Sequence, residues 1–164
     1  MAGNDAEVQE VYVQPGELHL VTGPAIIRTL LGSCVGITFW APRQGLAALC
    51  HPMLPKYPAK PPAGMNRVGG LRYVDFVIRD LARQFDSLGV RRSEVQVKLF
   101  GGGDVLLGIE ASLRPTVGRL NCEAALRVLD EEGFIVAASS LGGHCGLNIQ
   151  FHTGTGEVLL RRLC

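Results

Sequence analysis

Residues 31–51 read Leu31-Gly32-Ser33-Cys34-Val35-Gly36-Ile37-Thr38-Phe39-Trp40-Ala41-Pro42-Arg43-Gln44-Gly45-Leu46-Ala47-Ala48-Leu49-Cys50-His51, and the fold turns on how they divide. Val35 to Trp40 is rich in β-branched and aromatic residues, which suit a pleated strand, and Ala41 to Gly45 holds the proline and glycine of a turn. Leu46 to Cys50 returns as a second strand, so the stretch is a hairpin. Antiparallel return over this length sets the start of the first strand beside the end of the second. Cys34 and His51 therefore lie together at one end of a sheet.

A thiol and an imidazole so placed have the makings of a nucleophile. The thiolate attacks a carbonyl well, and a neighbouring imidazole takes the thiol proton and later protonates a leaving group. Cys50 adjoins His51 in sequence, but successive strand side chains point to opposite faces, which turns Cys50 away from the imidazole and into a core. Cys34 follows Gly32 and Ser33. Their small side chains let a substrate carbonyl approach, and their backbone N–H groups suit an oxyanion site.

Working outward, Val11 to Val13, Glu17 to Val21 and Ala25 to Thr29 read as short strands before the Cys34 loop. Tyr57 to Gly70 is a loop rich in proline and glycine that follows His51 and flanks its end of the sheet. Apolar residues at helical spacing from Arg72 to Leu88 predict a helix stopped by Gly89, and Val95 to Phe100 a buried strand. Asn121 to Glu132 predicts a second helix. Phe134 to Ser139, Leu147 to His152 and Glu157 to Leu163 complete the strands. Strands first, then helix, strand, helix and a closing hairpin is an α+β order rather than a doubly wound one.

The chain has 164 residues, 47% of them hydrophobic and 19% charged, enough for one domain spanning 1–164 with a sizeable core. A net charge of +1 gives no broad basic field, so neither nucleic acid nor an anionic membrane is indicated as a partner. The five cysteines, at 34, 50, 122, 145 and 164, are odd in number and lack CxxC spacing, which argues against a disulfide framework and against zinc. His144 and His152 do not cluster with enough ligands for a metal. Residues 1–7 lack the basic and apolar stretches of a secretory signal, and no apolar run approaches membrane-spanning length. The expectation is a cytoplasmic protein in a reducing compartment. Gly101-Gly102-Gly103-Asp104 lacks both common phosphate-loop patterns and reads as a tight turn that lets backbone pass close to another element.

Thr29-Leu30-Leu31-Gly32-Ser33-Cys34-Val35-Gly36-Ile37, then His51-Pro52-Met53-Leu54-Pro55, then Lys98-Leu99-Phe100-Gly101-Gly102-Gly103, resemble in order and spacing the bacterial CheD proteins, the chemoreceptor glutamine deamidases. Val117-Gly118-Arg119-Leu120-Asn121, Gly142-Gly143-His144 and the stretch from Phe151 to Val158 extend the likeness over nearly the whole chain. The resemblance implies that Cys34 is the nucleophile and His51 the general base and acid. It assigns the third member to a threonine shortly before the Leu-Gly-Ser-Cys block. Thr29 is the nearest, five residues before Cys34, and Ser33 competes for the role. An odd offset in an unbroken strand would face Thr29 away from the thiol, so its participation requires a bulge or turn, which Gly32 permits. Where the family often has Gly-Arg after the paired glycines, this chain has Cys145-Gly146-Leu147.

The resemblance further implies a mixed β-sandwich with helices packed outside, similar to the cytotoxic necrotizing factor deamidase domain. It implies hydrolysis of receptor glutamines without metal or organic cofactor, on the cytoplasmic helical region of a chemoreceptor. A CheC-type phosphatase is the other implied partner, and docking on it without catalysis is the alternative role.

Overall fold

The computed structural model describes residues 7–105 and 115–164. Among these residues nine strands, β1 (Gln9–Tyr12), β2 (Leu18–Thr22), β3 (Ala25–Leu31), β4 (Val35–Ala41), β5 (Leu46–Cys50), β6 (Gln96–Gly101), β7 (Val136–Leu141), β8 (Gly146–His152) and β9 (Val158–Leu163), form two sheets. One is ordered β1-β3-β8-β9 and the other β2-β5-β4-β6-β7. Both are mixed, since β1 runs parallel to β3 and β6 to β7 while the other pairs are antiparallel. The helices are α1 (Arg67–Gly70), α2 (Val74–Ser87) and α3 (Val117–Glu131).

The 31–51 hairpin is the centre of this arrangement. β4 is the middle strand of the five-stranded sheet, and all but Trp40 of its residues are buried. Its run of apolar residues reflects coverage on both faces. Val35, Ile37, Phe39 and Ala41 face α2 and α3 in one core, where Phe39, Phe85 and Phe134 meet edge-on or tilted at 5.3–6.3 Å between ring centroids. The opposite face meets the four-stranded sheet. There Ala47, Leu49 and Phe100 pack on Ile27, Leu31, Ile149 and Phe151. The molecule thus has three layers, sheet, sheet and helices, and both long helices lie on one side. Among the described residues nothing covers the outer face of the four-stranded sheet, where Tyr12, Leu30, Leu159 and Leu163 are exposed. This refines the expectation of helices outside a sandwich: they cover one sheet only.

α3 begins at Val117, four residues before the expected Asn121. Gly118 and Leu120 disguise its first turn, which Thr116 caps by accepting from the Arg119 N–H. Gly118 is there because the Gly102 and Gly103 carbonyls press on it, so that a Cβ would collide with backbone. Gly102, at φ 65°, is likewise crowded by Cys122. The glycine run after β6 is therefore a tight turn with close backbone approach, as read from the sequence.

One expectation is overturned. Cys145 and Cys164 form a disulfide, with Cα atoms 4.8 Å apart. β8 and β9 pair antiparallel with Gly146 opposite Leu163, and the bridging cysteines are the next residues outward on each strand. An odd total of five hides one pair plus three free thiols, Cys34, Cys50 and Cys122.

Candidate active site

β5 alternates cleanly. Ala48 and Cys50 enter the helix-facing core, whereas Ala47 and Leu49 enter the inter-sheet core, so His51 continues on the inter-sheet side. Cys50 is fully buried, and burial pushes its thiol pKa far up, out of reach of ordinary pH. It is turned away from the imidazole, as the strand alternation requires.

The β4–β5 register pairs Ile37 with Cys50, and the Val35 N–H bonds the Pro52 carbonyl at 3.3 Å, carrying the ladder past the strand ends. Gly36 is then opposite His51, and Cys34, two residues earlier, falls on the same face. Cys34 is half-buried against the inter-sheet core. Its sulfur forms no hydrogen bond to another described residue. Burial raises its pKa, and its own backbone N–H opposes that rise.

Thr29 reaches the site from the other sheet. β3 presents Ala25, Ile27, Thr29 and Leu31 to the inter-sheet space, and the chain crosses to the second sheet through Gly32-Ser33-Cys34. The odd offset between Thr29 and Cys34 therefore carries no penalty: the two stand on facing sheets, joined by the turn that the sequence required. Thr29 Oγ1 lies 2.7 Å from His51 Nδ1 and 2.7 Å from the Val13 carbonyl. A carbonyl only accepts, so the one hydroxyl proton goes to Val13. The proton between Thr29 and His51 then belongs to Nδ1, and Nε2 keeps its lone pair. Ser33 sends no side-chain hydrogen bond to His51. Sequence reasoning missed Val13, which follows β1 and donates its own N–H to the Arg28 carbonyl at 2.9 Å. A backbone carbonyl leaves no mark in residue identity.

His51 is 1% exposed, and its pKa is lowered to about 4, chiefly by burial, with the Val13 carbonyl and the Glu17 charge acting in the opposite direction. The resting pair is thus a neutral thiol and a neutral imidazole. The arrangement suits proton transfer to Nε2 concerted with attack, rather than a standing ion pair.

The Ser33 carbonyl and the Met53 carbonyl both accept from the Asn121 side-chain amide, each at 3.0 Å. Asn121, on α3, is completely buried. Its position in the Gly118-Arg119-Leu120-Asn121 block was visible in the sequence, but its contact with the Cys34 loop was not. Among the described residues no group of His, Cys, Asp or Glu side chains could hold a metal ion, and no helix is long and apolar enough to cross a membrane.

Comparison with known proteins bears on the chemistry. Residues 53–162 match the family model described as CheD chemotactic sensory transduction. That match starts two residues after His51, but relatives align across the whole chain. One from Geobacter sulfurreducens, "Probable chemoreceptor glutamine deamidase CheD 2", is 43% identical over 163 residues, covering 99% of this chain and 96% of the relative. Another from Maridesulfovibrio salexigens, "Probable chemoreceptor glutamine deamidase CheD", is 33% identical and covers 99% of this chain and 97% of the relative. Among solved structures, a Bacillus licheniformis hypothetical protein YfiH superposes with a TM-score of 0.49 at 10% identity, over 76% of this chain and 50% of that one.

Proposed function

The chain belongs to the CheD family, and we propose that it hydrolyses glutamine side chains of chemoreceptors to glutamate through a Cys34–His51 thiol mechanism. The observation that carries this reading is the 2.7 Å contact between Thr29 and His51, which leaves the Nε2 lone pair free on a residue that shares a sheet face with Cys34. In the first step Nε2 takes the thiol proton as sulfur bonds to the carboxamide carbon. Gly32 and Ser33 leave the approach open, and the Ser33 and Cys34 N–H groups receive the oxyanion. Collapse breaks the C–N bond, and the Nε2 proton leaves with ammonia. Water then adds to the thioester, giving one proton to Nε2. The C–S bond breaks, the thiol is restored and glutamate is released.

The names of the relatives support a chemoreceptor substrate, and its cytoplasmic helical region would place this protein in the cytoplasm, acting without membrane insertion, nucleic acid or cofactor. On the same reading the sandwich is of the kind found in the cytotoxic necrotizing factor deamidase domain. Incubation with a receptor cytoplasmic fragment should release ammonia and add about one mass unit at particular glutamines, the difference between amide and acid. Unchanged peptide masses across a panel of receptor fragments would end the deamidase reading.

Docking on a CheC-type phosphatase is a separate proposal, for which the open outer face of the four-stranded sheet leaves room. Cys34→Ala that still stimulates such a phosphatase while releasing no ammonia would separate the two roles.

A further inference from the structure

We propose that Asn121 is a positioning residue that aims the oxyanion donors of the Cys34 loop; this rests on the deamidase reading. The planarity of the peptide unit ties each N–H to the carbonyl before it. In a trans peptide the C=O and the following N–H point in opposite directions, and the chain contains no cis bond among the described residues. The Gly32 carbonyl accepts from the Gly103 N–H at 2.9 Å, which turns the Ser33 N–H the other way. The Ser33 carbonyl accepts from Asn121 Nδ2 at 3.0 Å, which turns the Cys34 N–H the other way. The Ser33 N–H is thereby turned away from Gly103 and the Cys34 N–H away from Asn121. Apart from the Cys34 sulfur itself, nothing among the described residues accepts from either.

The Asn121 amide is unambiguous in orientation. Both of its partners are carbonyls, so both contacts must come from the NH2 group, and Oδ1 is left buried with no donor among the described residues. A side chain that leaves a buried acceptor unpaired is a poor device for stability alone. What the amide achieves is a bridge. One hydrogen holds the peptide before Cys34, and the other holds the Met53 carbonyl two residues beyond His51, so a single side chain fixes the thiol loop relative to the strand that carries the imidazole. The other clamp, Gly103, acts through its backbone, which leaves Asn121 as the member that substitution can remove.

The test separates oxyanion binding from thiol activation. Deamidation passes through a tetrahedral oxyanion, whereas alkylation of Cys34 by iodoacetamide is a displacement that forms none. Asn121→Ala should lower kcat about a hundredfold or more with KM within about threefold, the scale for losing one oxyanion donor, while Cys34 alkylation stays within about threefold of wild type. Asn121→Asp keeps the shape but turns a carboxylate on two carbonyls. Its deamidation, relative to wild type, should rise as pH falls and the carboxyl gains a proton to donate. If Asn121→Ala does not fold, the pH profile of Asn121→Asp decides alone. The proposal is overturned if Asn121→Ala deamidates within about threefold of wild type, if alkylation and deamidation fall in equal proportion, or if Asn121→Asp tracks wild type at every pH. A wild-type protein inactive on every receptor fragment overturns the deamidase reading and this proposal with it; an active wild type matched by Asn121→Ala overturns this proposal alone.

Discussion

The two faces of the five-stranded sheet are made by the same strands and differ in almost everything else. Toward α2 and α3 the packed side chains are apolar, Phe39, Phe85, Leu99 and Leu129 among them, with Cys50 a small filler in their midst. Toward the other sheet the burial is as deep, yet Thr29 and His51 sit inside it at 1% exposure, with Cys34 at its edge. A buried polar group is tolerated only where it finds partners, and here the partners come from the facing sheet and from the Val13 carbonyl. A helix, whose backbone groups bond internally, has fewer to offer. The sheet–sheet interface can therefore hold buried polar side chains, while the sheet–helix interface is chiefly apolar packing, with Asn121 of α3 the polar exception beside the Cys34 loop.

The sharpest way to break this division is to truncate one thiol on each face. Cys34→Ala should abolish ammonia release, by about a thousandfold or more, while leaving the unfolding midpoint nearly unchanged. Cys50→Ala should keep activity within a few-fold and cost about 1–2 kcal/mol in denaturant unfolding, since it leaves a small cavity in a closed core. Brief alkylation near neutral pH should label Cys34 ahead of both Cys50 and Cys122, whose thiols burial also holds up. A Cys50→Ala variant as inactive as Cys34→Ala would mean that chemistry and stability are not assigned to separate faces.

Next in size is the contact that crosses between the sheets. Thr29→Val removes the acceptor that holds the His51 Nδ1 proton and the donor to Val13. Deamidation should fall roughly ten- to a hundredfold. Leaving two buried polar groups unpaired should also cost about 1–3 kcal/mol, so both activity and unfolding must be followed. Ser33→Ala is the control. Full activity in Thr29→Val with a loss in Ser33→Ala would move the orienting role to Ser33.

How much of this was legible beforehand follows from the same contrast. The hairpin was readable because Val35–Trp40 and Leu46–Cys50 are local and their alternation sends Cys50 and His51 to opposite faces. That Thr29 meets His51 was harder, because strand parity applies within one sheet and the chain changes sheets at Gly32-Ser33-Cys34. The Cys145–Cys164 bridge escaped a count of cysteines and their spacings, although the two strands flanking it were both legible. Only the β8–β9 register, Gly146 opposite Leu163, sets them side by side. Val13 and Asn121 act through carbonyl contacts between segments remote in sequence, and no motif records such contacts.

A smaller effect should appear on the acid side. In the proposed mechanism His51 must be neutral to accept the thiol proton, and its pKa is lowered to about 4, so activity should persist at about pH 5 and fall about tenfold per unit only below about pH 4. An imidazole at its ordinary 6.5 would already be mostly protonated at about pH 5. Stability follows with the same sign. The folded state holds His51 neutral where the unfolded chain would protonate it, so the contribution is complete above pH 6.5 and is lost as pH falls from there through about 4, amounting to at most about 3 kcal/mol. His51→Gln should flatten that part of the stability curve. A rate profile with its acid limb near 6.5 would show that the imidazole is not buried in the working enzyme.

The least effect on activity is expected from the disulfide, which lies outside both cores. Cys145 follows the Gly142–Gly143 loop, whose Gly143 carbonyl accepts from the Asp104 N–H at 2.8 Å, just beyond the Gly103 that holds the Cys34 loop. Reduction therefore loosens a neighbour of a neighbour of the Cys34 loop. The bridge closes a loop of 19 residues, for which chain-entropy arguments give about 3 kcal/mol, an unfolding midpoint roughly 5–10 °C higher when oxidised. Activity should change by less than about twofold on reduction or in a Cys145→Ser, Cys164→Ser double variant, because the Gly103 to Gly32 hydrogen bond and the β8–β9 ladder do not depend on the bridge. Thermal unfolding and ammonia release measured with and without dithiothreitol would decide it. A tenfold loss of activity on reduction, with Cys34 still free to alkylate, would tie the reactive face to the closing hairpin and extend the active region to the edge of the four-stranded sheet.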